Sequence, residues 1–375
     1  MGQFAPKCPG QFAPKRGVSL RRNGMVTFIR ISNDELQSLN KLSVSDTGDL
    51  FGYHKDGTKI VDFSKGSYDG NIEMDYVLYK SYRNPLKVLM TAHSIGLGLY
   101  NEAGYMQVIN DVNVWKAIGY EVTKGSLQKT NETIEIKRPI QNSISIANEL
   151  YSGKRESLET QIFDTRADEI KWIANQIAND VKDEKVEPHD IVVISINQKS
   201  IDNEFISLQS LLHQKGIPSI IPGVGGIERD KFGEKGFVTL STVYKAKGNE
   251  AFIVYVMAFD FLYNYDFIFT RNRAFTSISR SKGWCRITGK GENMERAITE
   301  IEDTIKNIPF FKFKFPEPKK IQRKLSQEEH ARKLEETRKV TSALKDLLTV
   351  EDSSIDLSQF SAEEIEALKK KLGSI

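Results

Sequence analysis

The sequence predicts a parallel α/β sheet covered by helices on both faces. Two observations point to it. Strand-like runs lie at 191–196, 238–242, 252–257 and 284–288, and those at 191–196 and 252–257 are nearly continuously apolar, as in strands buried on both faces. Helical stretches fall between such runs, and strand–helix alternation is the mark of parallel sheets built by crossover connections.

The elements follow in order. A strand-like run at 26–31 begins just after Met25. Residues 88–100 read as a helix behind Tyr82-Arg83-Asn84-Pro85, with proline at an early helical position, where its missing N–H costs nothing. Residues 168–181 form an amphipathic helix whose apolar face carries Ile170, Ile173, Ala174 and Ile177. Residues 205–215 are a further helix and 217–221 a further strand. Ligands of such sheets bind beyond the C-terminal strand ends. Thr242 and the loop from Lys247 are expected at that edge.

Bulk properties narrow the function classes. The 375 residues suffice for two average domains or one large domain with appendages. A hydrophobic share of 39% and a charged share of 27% fit a globular protein with a sizeable core. No run reaches the roughly 18 apolar residues of a membrane span, so no membrane partner is expected. Cys8 and Cys285 form neither a disulfide framework nor a metal site, which makes a cytoplasmic setting the expectation. The net charge of +3 is too small to argue for nucleic-acid binding, so any such surface must be local.

The two ends differ from the middle. In residues 1–24 the hexapeptide Gly-Gln-Phe-Ala-Pro-Lys occurs at 2–7 and again at 10–15, and the segment has five basic residues and no acidic one. It reads as a low-complexity extension without a fold, or as a basic arm on nucleic acid. Residues 25–318 carry the α/β pattern. In 319–375, Ser326-Gln-Glu-Glu329 and Ser361-Ala-Glu-Glu364 are capping-box signatures. They open helices with narrow apolar stripes, expected to form a charged helical tail.

Four places carry residues suited to chemistry. Arg83, at a helix start, suits an anion or an ordinary surface ion pair. Arg280 lies among hydroxyl residues in Thr276-Ser-Ile-Ser-Arg-Ser-Lys282, with the same two readings. Lys247-Gly248-Asn249-Glu250 is a tight polar loop between strands, where Gly248 suits a positive φ and Glu250 can accept hydrogen bonds from sugar hydroxyls. Asp34-Glu35-Leu36-Gln37 offers carboxylates for magnesium or a glutamine that senses phosphate or water. The aromatic run 259–269 suits base stacking or, for most of its residues, core packing.

In this order the segments resemble the second motor domain of a superfamily 1 DNA helicase of the UvrD/Rep type. Thr242-Val-Tyr-Lys-Ala-Lys-Gly-Asn-Glu250 is similar to motif V, with Tyr244 where a histidine is usual. Phe275 to Lys282 resembles motif VI, and Tyr82-Arg83-Asn-Pro resembles motif IV. Asp34 to Gln37 looks most like motif III, with a Walker B segment as the alternative. The resemblance implies a RecA-like fold of the P-loop NTPase superfamily. It also implies Arg83 and Arg280 as arginines on the γ-phosphate, Gln37 as the γ-phosphate sensor, and Glu250 on the ribose beside Lys247 and Gly248. Ser241, Thr242 and Lys245 would touch phosphates of single-stranded DNA or RNA. Asp34 and Glu35 would bind magnesium only under the Walker B alternative.

No Gly-x-x-x-x-Gly-Lys-Ser/Thr loop occurs in the 375 residues. Gly283 to Gly291 comes nearest, with one residue too many between its glycines and no hydroxyl after Lys290. The resemblance thus implies the C-terminal portion of an ATP hydrolase that uses ATP and Mg2+ only beside a separately encoded first motor domain. A non-catalytic nucleic-acid- or partner-binding module and a decayed fragment are the alternatives.

Overall fold

The computed structural model describes residues 21–23, 26–28, 52–58, 60, 67–68, 72–73, 79–102, 104, 109–145, 147, 156–197, 201–224, 232–263 and 267–317, all within the unit Met1–Lys324. Asp34, Glu35, Gln37, Cys8, the hexapeptide repeats and the expected helical tail lie outside the described residues.

Strands β1 (Arg21–Asn23) and β2 (Val26–Phe28) pair antiparallel, as do β3 (Ser67–Tyr68) and β4 (Ile72–Glu73). Helices α1 (Leu86–Leu97) and α2 (Val112–Ala117) lead to strands β5 (Glu121–Lys124) and β6 (Thr133–Lys137). The main unit then runs β7 (Leu158–Phe163), α3 (Arg166–Lys182), β8 (Ile191–Ser195), α4 (Ile201–Gln214), β9 (Ser219–Ile220), β10 (Val238–Thr242) and α5 (Val243–Ala246). It ends with β11 (Ala251–Met257), α6 (Phe267–Ile278), β12 (Ser281–Lys290), α7 (Gly291–Asn307) and β13 (Phe310–Lys314).

Six strands form one sheet in the order β7-β12-β11-β8-β10-β9, and every pairing is parallel. Successive side chains of β8 alternate between two cores. Val192, Ile194 and Ile196 pack with α1, α6 and α7, whereas Ile191 and Val193 pack with α3 and α4. Because both faces are covered, Ile191 to Ile194 and Phe252 to Met257 read as apolar runs in the sequence.

Three elements depart from the sequence reading. The edge strand β7, Leu-Glu-Thr-Gln-Ile-Phe, is half exposed, so it lacks the apolar run that reveals its inner neighbours. Helix α7 is strongly amphipathic and buries Met294, Ala297 and Ile301. A second sheet, β13-β6-β5, is antiparallel and covers its own core of Trp115, Tyr120, Ile134, Ile136, Phe311 and Phe313. Helix α1 serves both cores, with Val88, Ala92 and Ile95 on the first and Met90 and Leu97 on this one. That double duty explains why ten consecutive residues from Val88 to Leu97 are buried.

Several charged groups inside the unit are paired. Arg286 of β12 meets Asp180 of α3 at 2.6 Å, and Tyr255 donates to the same carboxylate at 2.5 Å. At the C-terminal edge of the sheet, Arg166 lies against Glu169, binds Asp260 at 2.8 and 2.9 Å, and approaches Glu204 at 3.5 Å. Burial pushes Glu169 and Glu204 above the usual carboxylate range, against the pull of Arg166.

Candidate nucleotide and nucleic-acid site

Parallel pairing places two of the expected site residues side by side. Ala251 and Ser281 are register partners at the starts of β11 and β12, and the Ala251 N–H donates to the Arg280 carbonyl at 3.1 Å. Glu250 and Arg280, the residues just before these positions, therefore leave the sheet together. Arg83 joins them through its neighbour. The buried Asn84 side chain donates to the carbonyls of Ser279 and Ser281 at 3.0 and 2.6 Å, and Ser145 Oγ donates to the Arg83 carbonyl at 3.2 Å.

The resulting cluster holds two cations against one carboxylate, with Arg280 on the neighbouring Asn249 carbonyl. Glu250 Oε2 is 3.6 Å from Arg83 Nη1, and Glu250 Oε1 is 3.8 Å from Lys282 Nζ. Arg280 is 3% exposed. Its guanidinium donates to the carbonyls of Thr276 at 3.0 Å and Asn249 at 3.3 Å and to Ser279 Oγ at 3.2 Å, which fix its orientation. The ordinary expectation of a surface ion pair fits Arg83 only in part, because its partner is another residue of the cluster. It does not fit Arg280, which is buried. Arg83 Nε is buried without a hydrogen-bond partner, a donor that an anionic ligand can use.

The cluster's position corrects one expectation. Thr242 does end β10, but the loop from Lys247 runs on to Glu250, immediately before the N-terminal end of β11. Arg83, Glu250, Arg280 and Lys282 thus gather at the N-terminal end of β11 and β12. The C-terminal edge instead carries the Arg166 network. Gly248 turns this loop with φ of +87°, a conformation that side chains with a Cβ adopt at a cost.

The three residues expected on the single strand lie at the other end of the loop. Ser241 is 1% exposed, and its hydroxyl donates to the Thr242 carbonyl at 3.0 Å. Thr242 caps α5, its Oγ1 accepting from the Lys245 N–H at 3.3 Å. Lys245 is exposed, and its ammonium donates to the Pro222 carbonyl. Tyr244 is exposed, with Arg273 Nη2 donating to its hydroxyl at 3.1 Å. In the aromatic run, Phe259 and Leu262 are fully buried in the core and Phe261 and Tyr263 pack against it, while 264–266 lie outside the described residues. Among the described residues no group of three His, Cys, Asp or Glu side chains is placed to hold a metal.

Residues 237–288 match the family model of the UvrD-like helicase C-terminal domain. Over that span the chain is similar to this family. The matched span holds Ser241 to Glu250, helix α6, Arg280 and Lys282, and so contains the cluster except for Arg83 and Asn84. Among solved structures, one is described as the C-terminal domain of a "possible DNA helicase" from Lactobacillus plantarum WCFS1. It is 15% identical, with 58% of this chain and 94% of that chain covered and a TM-score of 0.30. No curated protein matches the chain. No helix among the described residues is long and apolar enough to cross a membrane.

Two residues of the cluster were not singled out from the sequence. Lys282 lies inside the segment resembling motif VI, two residues after Arg280, a spacing that was the available signal. Asn84 gave none, because its partners are backbone carbonyls almost two hundred residues away, at Ser279 and Ser281.

Proposed function

We propose that this chain supplies the arginine-bearing half of an ATP cleft and part of the single-strand track of a superfamily 1 DNA helicase. In this reading it hydrolyses ATP only beside a first RecA-like domain that carries the phosphate-binding loop. The observation that carries the proposal is the gathering of Arg83, Glu250 and Arg280 from three separate segments into one cluster. Arg83 and Arg280 would hold the phosphates and stabilise charge developing on the transferred group, where preorganised donors are most effective. Glu250 would accept from the ribose hydroxyls, with Lys247 and Gly248 shaping the loop beside it. Gln37 as γ-phosphate sensor, or Asp34 and Glu35 on magnesium, belong to the same proposal.

ATP, when bound, supplies the phosphoryl group whose transfer drives movement along the strand. Lys245 and Thr242 at the end of β10 suit phosphates of single-stranded DNA or RNA, whereas Ser241 faces inward here. The division into 1–24, 25–318 and 319–375 is the domain organisation proposed with it.

The test is ATP hydrolysis in the presence of single-stranded DNA. The chain alone is expected to show no turnover, and adding a separately expressed first motor domain is expected to restore it. Arg280→Ala should then lower kcat by roughly 10³-fold or more, as loss of a trans-domain arginine does. Robust turnover by the chain alone would sink the half-cleft reading. Salt-sensitive strand binding with no response to nucleotide would favour a binding module instead.

A further inference from the structure

We propose that Lys282 is a third phosphate-binding cation of the cleft, placed beside Arg83 by the Glu250 carboxylate, for the triphosphate of a nucleotide. This rests on the half-cleft reading above. The two Glu250 oxygens serve different cations, Oε1 at 3.8 Å from Lys282 and Oε2 at 3.6 Å from Arg83. Both separations exceed those of charge-assisted hydrogen bonds, which run about 2.7–2.9 Å. Both lysine and carboxylate are more than a third exposed. Such a pair is weak and costs little to open.

One carboxylate also cannot neutralise Arg83 and Lys282 together, so this pair of cations keeps an excess of positive charge. A spread polyanion matches three cations better than a single phosphate does. Lysine suits this task, because its flexible stem lets the ammonium swing from Glu250 to a phosphate while Arg280 stays fixed by its carbonyl partners. Glu250 thereby acts twice, accepting from the ribose and keeping the two outer cations in register before ligand arrives.

The experiment is equilibrium binding of Mg-ATP and of AMP to the full chain. Lys282→Gln should weaken ATP about tenfold, the scale of one charge-assisted contact, and leave AMP within about twofold. Lys282→Arg should retain ATP affinity. On a Glu250→Gln background, Lys282→Gln should still weaken ATP, because the contact is to phosphate. Equal ATP affinity for Lys282→Gln and the parent chain would overturn the proposal while leaving the half-cleft reading in place. So would a loss that disappears on the Glu250→Gln background, which would reduce Lys282 to a counter-ion. If the parent chain binds neither nucleotide, Lys282 is not a phosphate-binding cation of this chain, while the half-cleft reading still stands or falls by hydrolysis with the first motor domain added. AMP binding by each variant reports that the site is folded.

Discussion

Asn84 brackets Arg280: its side-chain amide donates at 3.0 Å to the Ser279 carbonyl and at 2.6 Å to the Ser281 carbonyl. One short side chain thereby ties the segment bearing Arg83 to the turn bearing Arg280. Pro85, next along, stands just before α1, so the same amide also fixes where that helix meets the sheet.

Asn84→Ala removes both donors and leaves two carbonyls unpaired in a buried place. The expected cost is about 2 kcal/mol, within the range for buried polar groups deprived of partners. Urea unfolding should show a lower midpoint, and an unchanged midpoint would remove Asn84 from the tie between Arg83 and Arg280.

The Arg286–Asp180 pair joins the sheet to α3 across the second core, with both side chains almost fully buried. Arg286→Ala should cost about 3–5 kcal/mol, because it strands a carboxylate with Tyr255 as its main remaining partner. The double change Arg286→Met with Asp180→Leu should cost much less, since no uncompensated charge remains. Chemical denaturation of the two variants side by side checks the order.

His93 packs against Tyr120, with Nδ1 2.8 Å from the Tyr120 hydroxyl. Burial first, and the Arg138 charge second, push its pKa down to about 3. In the unfolded chain histidine titrates near 6.5. Below that value the unfolded state binds a proton that the folded state refuses. The contribution from His93 is therefore fully present above about pH 6.5 and is lost progressively as pH falls towards 3. Unfolding midpoints measured across this window should decline on acidification, and His93→Gln should flatten that part of the slope. Identical slopes for the two proteins would refute the assignment.

Gly248→Ala places a Cβ on a residue with φ of +87°. The strain is about 1 kcal/mol, modest for the fold but concentrated in the loop that delivers Glu250. Unfolding midpoints should shift slightly, while ATP affinity should fall more than that shift accounts for. A change in stability alone would separate this loop from the site.

The inner strands and the chemistry of their flanking loops are legible from sequence because both are local properties. Ile191 to Ile194 is apolar at every position, since each side chain meets a helix on one face or the other. The edge strand β7 and the antiparallel sheet β13-β6-β5 are not legible. Glu159, Thr160 and Gln161 carry the polarity of a half-exposed edge, and Phe311 and Phe313 pair with Ile136 and Ile134 from far back in the chain.

By itself, then, the sequence determined a covered parallel sheet, the polar loop from Lys247 to Glu250, the hydroxyl-rich turn at Arg280, and 375 residues without a phosphate-binding loop. Tertiary structure decided which of these residues meet, and at which end of the sheet. Parallel register sets Ala251 level with Ser281 and so puts Glu250 beside Arg280, while Asn84 brings Arg83 to the same place. The physical reason is the range of each signal. Burial writes its period into neighbouring residues, whereas a juxtaposition made by strand register and one side-chain amide leaves no local trace.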